Sequence, residues 1–236
     1  MIERATGDLP FRSRERRDPR ATREALLRAG AELFAAQGFD GVSVESLAQR
    51  AGVNKALVSY HFGGKRGLYA AVLRETFAEL AERVRQLEAA GPAPPEFLHG
   101  LIEIFREVAE RRRPNFPAMF LREALSRGLQ PEVLPSLLSV IGAVRRMVGR
   151  GVREGFFRRV DPLQVHLGLI GALVFFFATE PMRRAVVAAG DLPLRLPTPE
   201  AFTRYIEELT LRGLAPETTR RAPRSHRAKR KKEPGE

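Results

Sequence analysis

The residues with the clearest chemical purpose lie together between Asn54 and His61, NKALVSYH. On a helical wheel at about 100° per residue with Val58 inward, Ala56 and Tyr60 fall at about 160°, and Ser59 and Leu57 flank them at about 100° on either side. The outward face is therefore small, hydroxylic or aromatic, edged by Lys55 and His61. A face built for solubility carries Glu, Lys or Gln instead. This one suits the major groove of duplex DNA, which requires small residues for close approach, donors for phosphates and apolar groups for thymine methyls. Catalysis has no comparable foundation. The chain has no Cys and four scattered His, and it lacks a metal-spaced cluster, a Gly-rich phosphate loop and a nucleophile elbow. The expectation is a protein that is not an enzyme and needs no metal or cofactor.

Positioning such a face takes short, well-capped helices. A first helix is predicted from Pro19 or Thr22 to Gln37, with Leu26, Gly30, Leu33 and Phe34 on one buried face and Gly38 as its stop. Ser43 is a good N-cap for a second helix whose Val44, Leu47, Ala48 and Ala51 share a face, with Glu45 in the first turn where the dipole favours it. Gly52 closes that helix, Val53 is the expected buried plug, and Asn54 caps a third helix from Lys55 to about His61. Gly63 and Gly64 then separate it from a long fourth helix running from Lys65 to about Ala90. Two short helices joined across Ala51 to Asn54 form a helix-turn-helix. Lys65 and Arg66 occupy the first turn of the fourth helix, where the macrodipole disfavours cations unless a phosphate binds there.

The stretch from Val42 to Tyr69, VSVESLAQRAGVNKALVSYHFGGKRGLY, preceded by ALLRAGAELFAAQGFDG, resembles the DNA-binding signature of the TetR family of bacterial transcriptional regulators. The AGV, YHF and K-x-x-L elements in fixed order carry the likeness. It implies that Lys55, Ala56 and Leu57 lie at base edges, that Ser59 and Tyr60 touch bases or phosphates, and that Ser43, His61 and Lys65 hold the backbone, with Val44 and Asn54 completing the set. Many members carry Tyr where Ser59 stands, so the aromatic contact moves here to Tyr60. The resemblance further implies a cytoplasmic homodimer that represses from a palindromic double-stranded operator and is released by a small-molecule effector lodged among the middle helices.

Charge distribution agrees. Residues 1–70 carry 12 Lys and Arg against 8 Asp and Glu, residues 71–211 carry 19 against 17, and residues 212–236 carry 9 against 3. Basic ends around a near-neutral middle suggest a polyanionic partner, although an Arg-rich genome would produce the same excess. The expected arrangement is a flexible arm at 1–20, a helix-turn-helix domain at 21–67, a helical effector-binding and dimerisation domain at 68–215 and a basic disordered tail at 216–236. The arm either enters a minor groove or is simply solvated, and the tail either adds nonspecific DNA affinity or serves solubility. The longest apolar run, Leu167 to Ala178, is 12 residues, short of a membrane span, and the N-terminus has no apolar signal core. No membrane partner is expected. An alternative reading is a basic helical adaptor for protein or membrane partners, which explains the charge but not the AGV to YHF order.

The fold class is all-α, with further helices at 95–112, 116–127, 131–155, 162–180 and 199–214. Phe105, Phe116, Met119, Phe120, Met147 and His166 are candidate effector-pocket residues, with plain core packing as their other reading. The run LGLIGALVFFFA is apolar all round, so it needs a second buried surface beyond one core. Leu167, Ile170, Val174 and Phe177, with Phe202, Ile206 and Leu209, are the candidates for a four-helix dimer interface.

Overall fold

The computed structural model describes residues 18–112, 116–125, 131–190 and 195–216. The expected arm and tail lie outside these except for Asp18 to Arg20 and Pro216, and Pro19 and Arg20 already belong to the first helix. Every regular element among the described residues is helical. They divide into two compact units between Thr76 and Phe77.

In the first unit, α1 (Pro19–Gln37) starts where Asp18 accepts a bond from the Arg20 amide and Pro19 presets the backbone. It ends at Gly38, whose φ of 73° suits a residue without a Cβ. Leu26, Leu27 and Phe34 form its buried stripe. Ser43 caps α2 (Val44–Ala51) by accepting from the Ser46 amide, and Ser46 returns the bond to the Ser43 amide. Gly52, left-handed at φ 67°, turns the chain so that the Val53 amide reaches back to the Ala48 carbonyl at 2.9 Å. Val53 itself is half-buried rather than a sealed plug. The Asn54 side chain accepts from the Ala56 amide at 2.9 Å and starts α3 (Ala56–Phe62), one residue later than expected. Gly63 closes α3, and α4 (Lys65–Ala89) follows. Phe34, Phe39 and Tyr69 form an aromatic triangle with ring centroids 5.0–6.2 Å apart at the heart of this unit.

The second unit contains the rest of α4, α5 (Pro94–Glu107) with a wider π turn at Val108–Arg112, and α6 (Phe116–Ala124). A single 3-10 turn leads to α7 (Leu134–Arg153), followed by α8 (Pro162–Ala178), α9 (Glu180–Ala188) and α10 (Pro199–Leu214). Asp161 and Thr198 cap α8 and α10 ahead of a Pro at N1, as expected. The expected helix at 162–180 instead stops at Ala178, and the chain re-enters α9 after a 55° bend. Pro181 has no amide to continue the ladder, and Thr179 Oγ1 donates to the Phe175 carbonyl at 2.6 Å. No single helix among the described residues is long and apolar enough to cross a membrane. Phe77, Phe116 and Phe120 pack within 5.3–5.9 Å of one another, and Leu98, Ile102, Val144 and Leu173 are buried in the same unit.

Candidate nucleic-acid interface

Helix α3 is anchored by one side chain. Val58 is fully buried, and the turn carbonyls of Asn54 and Lys55 accept the amides of Leu57 and Val58 at 3.0 and 3.1 Å. The opposite face is open: Lys55, Ala56, Ser59 and Tyr60 are exposed, while Leu57 and His61 are half-buried at its edges. Tyr60 is 78% exposed, a large cost for an aromatic ring unless a partner covers it. Its ring stands edge-on to His61 at 5.0 Å, which holds the phenol away from the unit. Lys55 Nζ lies 3.5 Å from Glu45 Oε1, so α2 holds the ammonium at the rim of the α3 face.

The polar residues around this face are engaged to different degrees. Ser43 Oγ accepts the Ser46 amide, leaving its hydroxyl hydrogen for an outside acceptor. Asn54 Oδ1 is occupied by the Ala56 amide, and the side-chain NH₂ is left over on an exposed residue. Val44 is half-buried against the unit and offers only a partial apolar edge.

Lys65 is engaged within the unit. Its ammonium donates to the carbonyls of Phe39 and Val42 at 3.0 and 2.9 Å and lies 4.3 Å from the centroid of the Phe39 ring. Two of its three donors thus close the loop between α1 and α2, whose carbonyls no helix satisfies. Lys65 is a tie within the unit, and the more open cation at the start of α4 is Arg66, exposed, without an ion pair among the described residues and 5.8 Å from the centroid of the Phe39 ring. Sequence reasoning placed both in the first turn, but the partners of Lys65 are 23 and 26 positions away and left no local signal.

The expected effector-pocket residues separate into three places. Phe105, Phe116 and Phe120 belong to the aromatic core, and Met119 is 3% exposed beside them. Phe105 also lines, with His166, Leu80, Leu101 and Leu173, an apolar cavity of about 20 Å³. His166 is 6% exposed and has no hydrogen-bond partner among the described residues, so burial holds its pKa below the ordinary histidine range. Met147 faces a different groove on α7.

The open apolar face of α8 lies roughly 60° around the helix from the stripe expected to pair. Leu167 and Leu209 are more than half exposed. Val174 and Ile206 are core residues, Ile170 lines the small cavity, Phe177 lies 5.9 Å from Phe105, and Phe202 stacks on Phe176 at 4.0 Å. The open apolar stripe of α8 is Leu163, Leu167 and Phe175 at multiples of four, continued by Met182 and Val186 on α9 and by Tyr205 and Leu209 on α10.

Residues 26–72 match the profile of bacterial regulatory proteins of the tetR family, and residues 94–191 match the tetracyclin repressor-like C-terminal domain. The chain is 32% identical to the HTH-type transcriptional repressor SCO4008 of Streptomyces coelicolor over 74% of its length and 88% of that protein's. It is 25% identical to the repressor NicS of Pseudomonas putida over 82% of its length and 92% of that protein's. The crystal structure of PfmR from Thermus thermophilus shares the fold at a TM-score of 0.62 and 24% identity, covering 81% of this chain and 99% of that one. The chain belongs to the TetR family of bacterial transcriptional regulators.

Proposed function

We propose that the protein is a cytoplasmic repressor that binds a near-palindromic duplex operator as a homodimer and is released by a small-molecule effector. Residues 21–67 do the reading, and residues 68–215 dimerise and receive the effector. The observation that carries the reading is the outward face of α3: a 78% exposed Tyr60 beside exposed Ala56, Ser59 and Lys55 on a helix pinned by buried Val58. Lys55, Ala56, Leu57, Ser59 and Tyr60 meet bases and adjoining phosphates. Ser43, Val44, Asn54 and His61 border the backbone, and Arg66 takes the phosphate contact in place of Lys65.

The apolar stripe Leu163, Leu167 and Phe175 with Tyr205 and Leu209 supports pairing with a second copy, because large apolar side chains aligned along two helices are the usual content of an isologous interface. Two copies place two recognition helices on one duplex face, so the site is an inverted repeat. The apolar lining at Phe105 and His166 is where this reading seats the effector; at about 20 Å³ the cavity must open to admit one, and a ligand acts there only by preferring the conformation that does not bind DNA.

Selection of bound sequences from a random duplex pool at near-physiological salt tests the reading, since nonspecific basic binding is screened there. An enriched inverted repeat is the expected result. No enrichment, with binding that vanishes as salt rises, refutes operator recognition and favours a basic helical adaptor.

A further inference from the structure

The helical unit has a second opening, a groove of about 530 Å³ bordered by the C-terminal part of α4, the start of α5 and one side of α7. Its floor is apolar: Phe97 and Met147 are each 4% exposed, with Pro162 at one end. Its rim is cationic. Arg145, Arg146, Arg150 and Arg153 line it against the single carboxylate of Glu88, four positive charges to one negative.

Two of these arginines already have work within the fold. Arg146 grips Glu88 through Nε and Nη2 at 2.5 and 2.8 Å, which lowers the Glu88 pKa, and Arg150 donates to the Pro92 carbonyl. These contacts latch α7 to the turn between α4 and α5. Arg145 and Arg153 are exposed and have no ion pair among the described residues. Arg150 Nε is a buried donor without a hydrogen bond there, and its nearest carboxylate, Glu154, is at 3.5 Å. The helix dipole accounts for cations in the last turn of α7, Arg150 and Arg153, but not for Arg145, which lies two turns earlier. Gly149 keeps the space above the backbone open, since a Cβ there would meet only Arg153 Nη1, at 3.6 Å.

We propose that this groove binds a small organic oxyanion, a carboxylate or phosphate joined to an apolar body. Guanidinium groups match both heads in bidentate fashion, and the Phe97 and Met147 floor covers the body. The volume falls in the range of small-molecule sites. The groove is separate from the His166 cavity, and its occupation presupposes neither an operator nor effector release.

Calorimetric titration of the full chain with octyl phosphate, octanoate, octanol and inorganic phosphate tests this. Octyl phosphate or octanoate should bind at least about tenfold tighter than both octanol and inorganic phosphate. Gly149→Glu should weaken that binding about tenfold or more without unfolding α7, because Glu is the better helix former and its carboxylate enters the groove. The Arg145→Gln, Arg153→Gln double variant should do the same while sparing both latches. Octanol binding as tightly as the anions removes the cationic rim from the proposal, and inorganic phosphate doing so removes the apolar floor; either result overturns it. So does an absence of binding, or an affinity unchanged in both variants.

Discussion

The two units expose opposite chemistry. In the first, the apolar side chains of α1 and α4 are sealed and the open helix face is small, hydroxylic and aromatic, centred on Ala56, Ser59 and Tyr60. In the second, the open face is itself apolar, with Leu163, Leu167 and Phe175 left over after the core has been filled. An exposed face is informative because a solvated helix has no physical reason to carry either pattern. The first suits a hydrated, charged partner with methyl groups set among hydrogen-bonding edges. The second suits a dry partner, which is the role proposed for a second copy.

The sharpest way to break this contrast is a charge in the apolar stripe. Leu167→Glu should turn the proposed dimer into a folded monomer in sedimentation, because an unpaired carboxylate buried in a seam costs several kcal/mol, about 3–5. Operator affinity should fall by about 100-fold or more as the two reading heads lose their linkage. Val174→Glu should behave differently and unfold the helical unit, since Val174 is 3% exposed within its core. A dimeric Leu167→Glu would remove the stripe from the interface.

Within the first unit, neighbouring residues separate fold from function. Lys65→Ala leaves the Phe39 and Val42 carbonyls without their donor and should destabilise the unit by about 1–3 kcal/mol in denaturant unfolding. Tyr60→Ala should leave stability unchanged and weaken operator binding by about 1–3 kcal/mol. Arg66→Ala should weaken binding to all sequences alike and reduce the salt slope by about one. A Lys65→Ala protein of normal stability with lost DNA affinity would return Lys65 to the phosphate backbone.

These residues also mark what the sequence discloses. The boundaries of α1 to α3 were legible because each depends on a residue at its own end: Asp18, Gly38, Ser43, Gly52 and Asn54. The outward face of α3 followed from the single buried Val58. The internal partners of Lys65 were not legible, because they are carbonyls that only the folded loop brings near. On α8 the open face was not legible, since a helix apolar on every side gives no polar face from which to measure, and the expected stripe includes Val174, which is buried, and Ile170, which lines the small cavity. Helix α9 was missed because its Thr179, Glu180, Pro181 start continues directly from α8, without the polar gap that announced α10.

The smallest predicted effect is a pH dependence that sets two histidines of the helical unit against each other. His166 is buried among Leu80, Leu101, Phe105 and Leu173, and burial depresses its pKa. The unfolded chain takes up a proton that the folded imidazole refuses, so this contribution is intact above the ordinary histidine range and lost as pH falls through it. His99 has the opposite sign. Its hydrogen bond to Glu207 at 3.0 Å raises its pKa, so the tie between α5 and α10 is strongest in acid and fades as pH rises through the folded value. With His99 replaced by Gln, the unfolding midpoint should therefore fall on acidification from about pH 7.5 to about pH 5.5, by no more than about 4 °C, and in the parent chain the opposed His99 contribution makes any fall smaller. His166→Leu should remove the decline and fill the same apolar space, whereas His99→Gln should steepen it. An acid-side decline that persists unchanged in His166→Leu would place its source in another group and leave the cavity without a titrating member.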